Sequence, residues 1–194
     1  MMEHNLSDSQ VAKFNALYER ANQRMKDLIY LDGYRAKPLG FIGSWRIRRA
    51  ISDFRECLVY VPDHWPTLFF LGKAYQRLGN YPQALEKFEA AMRLDQTNHN
   101  IPREASLVAV HLNDMERAIR YGEIANGMKP NDATLLGNHA MNLLLANRDK
   151  EAQDTIEQAL RIAPEDQINK NVWRVIDGVV RGQRARPNPK DLIG

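Results

Sequence analysis

The feature that most constrains this 194-residue chain is a repeat of small residues at a spacing of 34 positions. Alanine recurs four times at that spacing, and proline lies near the end of three of the four units. The residues are Ala50, Ala84, Ala118 and Ala152, with Pro62, Pro130 and Pro164. A fixed period of about this length indicates helical hairpins stacked side by side. The chain is therefore predicted to be all-α.

The second unit, 65–98, carries the clearest copy of the repeat. Gly72 and Ala84 lie where the two helices of a hairpin would cross, because only small side chains let the backbones approach within about 8–10 Å. Pro82 lies in a first turn, where its missing N–H costs nothing. The residues of the pattern are Leu68, Leu71, Gly72, Tyr75, Ala84, Phe88 and Ala91. They resemble the tetratricopeptide repeat, with W-x2-L-G-x2-Y on one helix and A-x3-F on the next.

The resemblance implies an all-α, right-handed superhelical solenoid of helix-turn-helix repeats. Three repeats are expected over 65–166, and their bounds are 65–98, 99–132 and 133–166. Val172, Trp173 and Ile176 share one face of a further helix, which we predict to cap the solenoid over 167–183. A basic flexible tail is predicted over 184–194. Members of this family are binding scaffolds, so the resemblance favours a protein–protein interaction scaffold or adaptor.

The segment 1–64 is predicted to hold an N-terminal helix, a loop and a degenerate first repeat. Ser7 and Gln10 form a capping-box signature at the start of an apolar stripe over 8–30. Glycine and proline are frequent after that stripe, and both disfavour a regular helix. We therefore expect a long loop over 31–43, inside an irregular opening hairpin.

Composition and motifs argue against catalysis, metal binding and a membrane span. No apolar run of about 18 residues is present, and the first residues do not read as a signal peptide, so a cytoplasmic protein is expected. The five histidines are scattered, and no glycine-rich phosphate loop occurs. Cys57 takes the place of Ala91 and Ala125 in other units, which predicts a small buried residue. We predict neither an enzyme nor a cofactor.

A partner is predicted to bind a concave groove, which in this family is lined by the first helix of each hairpin. Packing between hairpins is an equally good interpretation for Phe69 and Leu107. The groove is favoured for Lys73, Arg77 and Arg103, because burying an unpaired charge is costly. The predicted groove residues are Phe69, Phe70, Lys73, Gln76, Arg77, Arg103, Glu104, Leu107, His111, Asn138 and Met141.

Co-chaperones of this family grip a C-terminal carboxylate with a clamp of lysine, asparagine, asparagine, lysine and arginine. In one register the corresponding residues here are Phe69, Lys73, Glu104, Thr134 and Asn138, and Glu104 would repel a carboxylate. One unit later, only Asn138 matches. We therefore do not expect this clamp to define the partner.

Two alternatives to a groove-binding adaptor stay open. The first is a self-associating assembly module or secretion-type chaperone, which would use the N-terminal helix and the apolar loop 31–43. The second is binding of nucleic acid or an acidic membrane. It ranks last, because the net charge is only +3 and aromatic stacking platforms are lacking. The two alternatives use one secondary surface. Its apolar residues Phe41, Ile42 and Trp45 would serve self-association, and its cations Arg46, Arg48 and Arg49 would bind nucleic acid or a membrane. A protein or peptide partner is expected, with a homo-oligomer as the alternative.

Overall fold

The computed structural model describes residues 6–29 and 39–189. Within these residues the chain forms nine α-helices and no β-strand, which confirms the all-α prediction. The helices are α1 Asp8–Met25, α2 Phe41–Tyr60, α3 Trp65–Arg77, α4 Tyr81–Leu94, α5 Asn100–His111, α6 Met115–Met128, α7 Ala133–Leu145, α8 Asp149–Ile162 and α9 Gln167–Val180. The chain divides into two compact units, the first ending at Gln96 and the second beginning at Thr97.

The turn inside three of the hairpins uses one residue in the left-handed conformation. Gly79, Asn113 and Asn147 have φ values of 74°, 58° and 61°, and they recur at the repeat spacing. Glycine adopts this conformation without strain, and asparagine tolerates it better than most residues. The N–H of the next residue donates back into the preceding helix at 2.9 Å, from Asn80 to Tyr75, from Asp114 to Ala109 and from Arg148 to Leu143. One turn geometry thus repeats in α3–α4, α5–α6 and α7–α8.

In the first unit, α1 pairs with α2 as an opening hairpin, and α2 also packs against α3. The capping box predicted at Ser7 and Gln10 is present. The helix is shorter than the predicted stripe, because it ends at Met25 in a tight turn in which Leu28 N–H donates to the Met25 carbonyl at 2.8 Å. Leu28 and Ile29 are nevertheless buried in the core. The stripe therefore predicts burial correctly from Leu17 onward, but Val11 at its start is exposed and the predicted helix end is wrong.

The loop predicted over 31–43 is corrected at its end, because α2 begins at Phe41. Phe41, Ile42 and Gly43 therefore belong to a helix. Packing of α2 against both α1 and α3 outweighs the low helix propensity of one glycine in the first turn. Gly43 also lies close to its neighbours, since a Cβ there would be 3.1 Å from the Leu39 Cδ1 atom. The predicted loop as far as Pro38 lies outside the described residues.

A buried carboxylate ties α1 to α2. Asp53 of α2 is buried and accepts hydrogen bonds from Arg20, at 2.8 Å, and from Arg24. On the same side of α2, Glu56 pairs with Lys13 of α1 at 2.9 Å. A buried charge is tolerated when it is paired and hydrogen-bonded. Both acidic side chains of α2 are therefore directed at α1.

In the second unit, a buried polar bridge joins three helices. Ser106 of α5 donates from Oγ to the Ala118 carbonyl of α6 at 2.7 Å. Asn142 of α7 donates from Nδ2 to the same Ser106 oxygen at 2.8 Å. Because these polar groups are buried and satisfied by one another, they fix how α5, α6 and α7 pack.

Gly122 of α6 and His139 of α7 fit each other in shape. Gly122 takes the repeat position of Phe88, and His139 takes that of Leu71. A Cβ on Gly122 would lie only 2.6 Å from His139 Nδ1, so the ring occupies the space that a side chain would need. His139 is buried, and burial lowers the pKa of its imidazole. The ring is therefore neutral at pH 7.

The end of the second unit is covered by α9, which packs against α7 and α8. Ile176 is fully buried, and Val172 and Val179 pack against the same core. Beyond α9, Arg186 pairs with Asp149 at 2.7 Å and also donates to the Leu144 carbonyl. The sequence predicts a flexible tail from residue 184. For Arg186 this prediction is corrected, because its side chain is anchored to the end of α7 and the start of α8.

Candidate partner-binding surfaces

The two predicted aromatic anchors of the first unit pack inside that unit. Phe69 is buried, and its ring centroid lies 5.7 Å from that of Phe88. The half-buried ring of Phe70 stacks on Phe54 at 6.3 Å and meets Tyr18 edge-on at 6.4 Å. Rings enclosed in this way stabilise a core. The packing interpretation therefore holds for Phe69, and the expectation that Phe70 is a partner anchor is corrected, because it covers the N-terminal helix.

The predicted cations of the first unit are likewise turned inward. Lys73 is buried, which corrects the expectation that it meets a partner at the surface. Arg77 is half-buried, and its Nε donates to the Leu28 carbonyl at 2.6 Å, which joins α3 to the end of α1. Gln76 is half-buried beside it. None of these three side chains is exposed.

One apolar side chain of the second unit stays exposed in the middle of α5. Leu107 is 39% exposed, whereas Ser106 and Val108 beside it are buried. One turn earlier, Arg103 donates to buried Glu104 Oε1 at 3.1 Å. Glu104 therefore does not line an open groove as predicted, because its carboxylate is buried against Arg103.

His111 lies one turn after Leu107. Burial lowers the pKa of the half-buried His111 imidazole, so the ring is neutral at pH 7. The exposed side of α5 accordingly presents a leucine between an ion-paired arginine and a neutral histidine.

The neighbouring side of α7 is more polar. Asn138 is exposed, and Met141 is half-buried against both core clusters of the unit. The hydrogen bond between Asn142 and Ser106 fixes α7 relative to α5. Leu107 and Met141 take the same repeat position, 34 residues apart, on α5 and α7. We give the name α5–α7 face to Leu107, Asn138 and Met141 together with Arg103 and His111.

A second exposed surface follows the length of α2, and the secondary surface predicted at residues 41–49 is only its beginning. Phe41, Ile42 and Trp45 are 90%, 72% and 54% exposed. The Arg49 guanidinium lies over the Trp45 ring at 5.8 Å. We call the exposed side chains of this helix the outer stripe of α2, and they are Phe41, Ile42, Trp45, Arg48, Arg49, Ser52, Arg55 and Val59. Arg46 is not among them, because it is half-buried and pairs with Asp27 at 2.9 Å.

The first unit also contains a cleft of about 380 Å³ between α2, α3 and α4. No sequence pattern predicts this cleft. Its floor includes Leu71 and Tyr75, and its lining includes Arg55, Glu86 and Lys87. Glu86 and Lys87 pair with each other at 2.7 Å. The cleft therefore combines an apolar floor with charges that are partly compensated.

The titratable groups do not assemble into a metal site in the part of the chain that the structure describes. No three His, Cys, Asp or Glu side chains in residues 6–29 and 39–189 are close enough to hold an ion. Burial raises the pKa of the Cys57 thiol to about 11, and the thiol contacts the Phe14 carbonyl at 3.8 Å. A thiol with a raised pKa is a poor nucleophile. None of the described helices is long and apolar enough to cross a membrane.

The α3–α4 hairpin, with its left-handed turn at Gly79 and the close contact of Gly72 with Phe88, coincides with a known repeat. The family model described as tetratricopeptide repeat matches residues 65–98. Residues 65–98 therefore form a tetratricopeptide repeat (TPR). The TPR match covers the unit that carries the clearest sequence pattern. No curated protein sequence matches the chain.

Solved structures share this TPR fold. A crystal structure of MamA has a TM-score of 0.73 and 15% identity, and the match covers 90% of this chain and 85% of MamA. The crystal structure of YrrB, a TPR protein with an unusual peptide-binding site, has a TM-score of 0.62, 19% identity and 72% coverage of each chain.

The first TPR domain of Spaghetti (RPAP3), bound to an HSP90 peptide, has a TM-score of 0.56 and 18% identity. That match covers 60% of this chain and 93% of the RPAP3 domain. At these identities the likeness concerns the fold alone.

Proposed function

We propose that this TPR protein is a non-catalytic protein–protein interaction scaffold, and that it holds a peptide or helix of a partner against the α5–α7 face. The observation that carries the proposal is the 39% exposure of Leu107 in the middle of a helix whose adjacent residues are buried. Met141, from the next hairpin, supplies a second and flexible apolar contact. Helices that bind in a groove use apolar anchors at this kind of position.

The chemistry of the α5–α7 face favours an apolar partner segment without a required charge. Arg103 is already paired with Glu104, and burial keeps His111 neutral. Asn138 is exposed and has both a donor and an acceptor for a peptide backbone. We therefore expect recognition by apolar contacts at Leu107, with backbone hydrogen bonds at Asn138.

Peptide binding by other TPR structures supports the general mode and not the partner. YrrB is described with a peptide-binding site, and the RPAP3 domain is bound to an HSP90 peptide. A carboxylate clamp is not part of the proposal for this chain, since Lys73 is buried and Glu104 is acidic. The cytoplasmic location also stays a prediction.

The test compares two aspartate substitutions at similarly exposed apolar residues of the second unit. Leu107 of α5 is 39% exposed and Ile162 of α8 is 40% exposed, so Leu107→Asp and Ile162→Asp place the same charge on different helices. Each tagged variant is used to capture proteins from the native host, and captured proteins are quantified by mass spectrometry. We expect a specific partner to be lost with Leu107→Asp and retained with Ile162→Asp.

Folding of both variants is checked by circular dichroism and thermal unfolding. A partner lost equally with both variants, or retained with both, would remove the α5–α7 face from consideration. Self-capture as the sole result would favour the alternative of an assembly module.

A further inference from the structure

The outer stripe of α2 is a continuous line of exposed side chains. Its residues recur at intervals of three and four positions, which places them on one side of a helix. From Phe41 to Val59 the line is about 27 Å long, given a rise of about 1.5 Å per residue. The opposite side of α2 packs against α1 and α3. The stripe is therefore the side of the helix that α1 and α3 leave exposed, and Arg55 at its edge also lines the cleft beside α4.

Charge is divided sharply between the two sides of α2. The stripe contains Arg48, Arg49 and Arg55 and no acidic residue. The acidic residues of the helix, Asp53 and Glu56, instead form ion pairs with α1. The stripe is thus cationic along its middle and apolar at its start, where Phe41, Ile42 and Trp45 project.

We propose that the outer stripe of α2 docks the protein on an anionic lipid surface. A helix with large apolar side chains and a basic face binds in the plane of the interface, with the apolar groups in the headgroup region and the cations near lipid phosphates. Tryptophan and arginine suit this depth, because each combines an apolar body with a polar end. The apolar side chains at the start of the helix would insert into the headgroup region, and the arginines would contact the lipid phosphates.

Self-association through the same stripe is disfavoured by its charge. A two-fold interface places a surface patch against itself, so the arginines of one copy would face those of the other. No acidic side chain of the stripe is present to compensate them. A protein partner is also disfavoured, because the apolar side chains are divided between the start of the stripe and Val59 at its end. They form a small core for an interface that usually buries about 800 Å² per partner.

The test uses the full chain and sedimentation with vesicles of two compositions. One is neutral phosphatidylcholine, and the other contains one quarter anionic phosphatidylglycerol. We expect binding to the anionic vesicles alone, decreasing with salt. The Arg48→Glu, Arg55→Glu double variant should bind at least tenfold more weakly, since each basic residue near such a surface contributes substantially. The Phe41→Ser, Trp45→Ser variant should also bind more weakly.

The matched control reverses two exposed arginines elsewhere, with Arg93→Glu and Arg161→Glu, and should bind like the wild type. Equal binding to neutral vesicles, or equal loss in the control, would overturn the proposal. The proposal would also be wrong if the protein bound no vesicles but formed dimers in sedimentation velocity that the Phe41→Ser, Trp45→Ser variant abolished. Binding to duplex DNA without binding to anionic vesicles would contradict it as well. Leu107→Asp should leave vesicle binding unchanged, which separates this result from that for the α5–α7 face.

Discussion

Two glycines inside helices differ in what surrounds them, and this difference makes a prediction at the residue scale. A Cβ on Gly72 would lie 2.7 Å from Phe88 Cε1, whereas a Cβ on Gly127 would have no atom within 4 Å. Gly72→Ala is expected to lower the free energy of unfolding by about 1–3 kcal/mol through overpacking. Gly127→Ala should raise it by about 0.5–1 kcal/mol, because glycine weakens a helix interior. Urea unfolding of both variants measures the two effects, and similar values would contradict the α3–α4 packing.

At the same scale, the sequence predicts small residues better than it predicts exposure. The close approach at Gly72 follows from its place in the repeat, although Phe88, and not Ala84, fills the space above it. The burial of Phe69 and Lys73 does not follow, because it depends on neighbouring residues that the repeat pattern leaves undefined. Five of the predicted groove residues lie in this first unit, and none of them is exposed.

At the scale of elements, the left-handed turns predict opposite preferences at two asparagines. Asn147 has a φ of 61° in the α7–α8 turn, whereas Asn171 lies in the right-handed helix α9 and is exposed. At position 147, alanine should be less stable than glycine by about 1 kcal/mol. At position 171, glycine should be less stable than alanine by about the same amount. Thermal unfolding of the four variants checks the order, and the same order at both positions would exclude this turn geometry.

The elements themselves were largely predictable, because a hairpin repeat and capping residues are local signals. Ser7 caps α1 as its sequence indicates, and Pro82 lies in the first turn of α4 as expected. The start of α2 was not predictable from local signals. Gly40 and Gly43 suggest a loop, but packing against α1 and α3 stabilises a helix that begins at Phe41. That error also hid the outer stripe, since the stripe is recognisable only once Phe41 is known to be helical.

At the scale of the whole molecule, three histidines determine how stability responds to acid. Burial lowers the pKa values of His64, His111 and His139. An unfolded chain takes up a proton at each of them as the pH falls through about 6.5, whereas the folded chain does so only at lower pH. The unfolded state therefore binds more protons, and stability decreases as the pH falls below about 6.5.

The measurement is the urea midpoint at pH 7 and at pH 5. His139→Leu removes one of the three groups, so the decrease between the two pH values should become smaller without disappearing. Wild-type protein at 0.5 M salt serves as the control for general charge effects. An unchanged decrease in the His139→Leu variant would contradict a neutral, buried ring at this position.

The general organisation of the molecule was also predictable, whereas the place of a binding site was not. A 34-residue period specifies hairpins and their order along the chain, and each of the two units has its own buried clusters. The period does not encode which side chains remain uncovered after the helices pack. The sequence alone leaves Leu107 open to both roles, and the packing around it leaves it 39% exposed.

The fit between Gly122 and His139 implies that this protein cannot be redesigned toward the family consensus one position at a time. An aromatic side chain at position 122 would enter the space of the imidazole, whose Nδ1 atom is 2.6 Å from the first carbon added there. A leucine at position 139, with glycine retained at 122, would not fill the space beside Gly122 as the imidazole does. Substitutions at contacting positions are not additive. The two residues therefore have to be substituted together if this contact is to be redesigned.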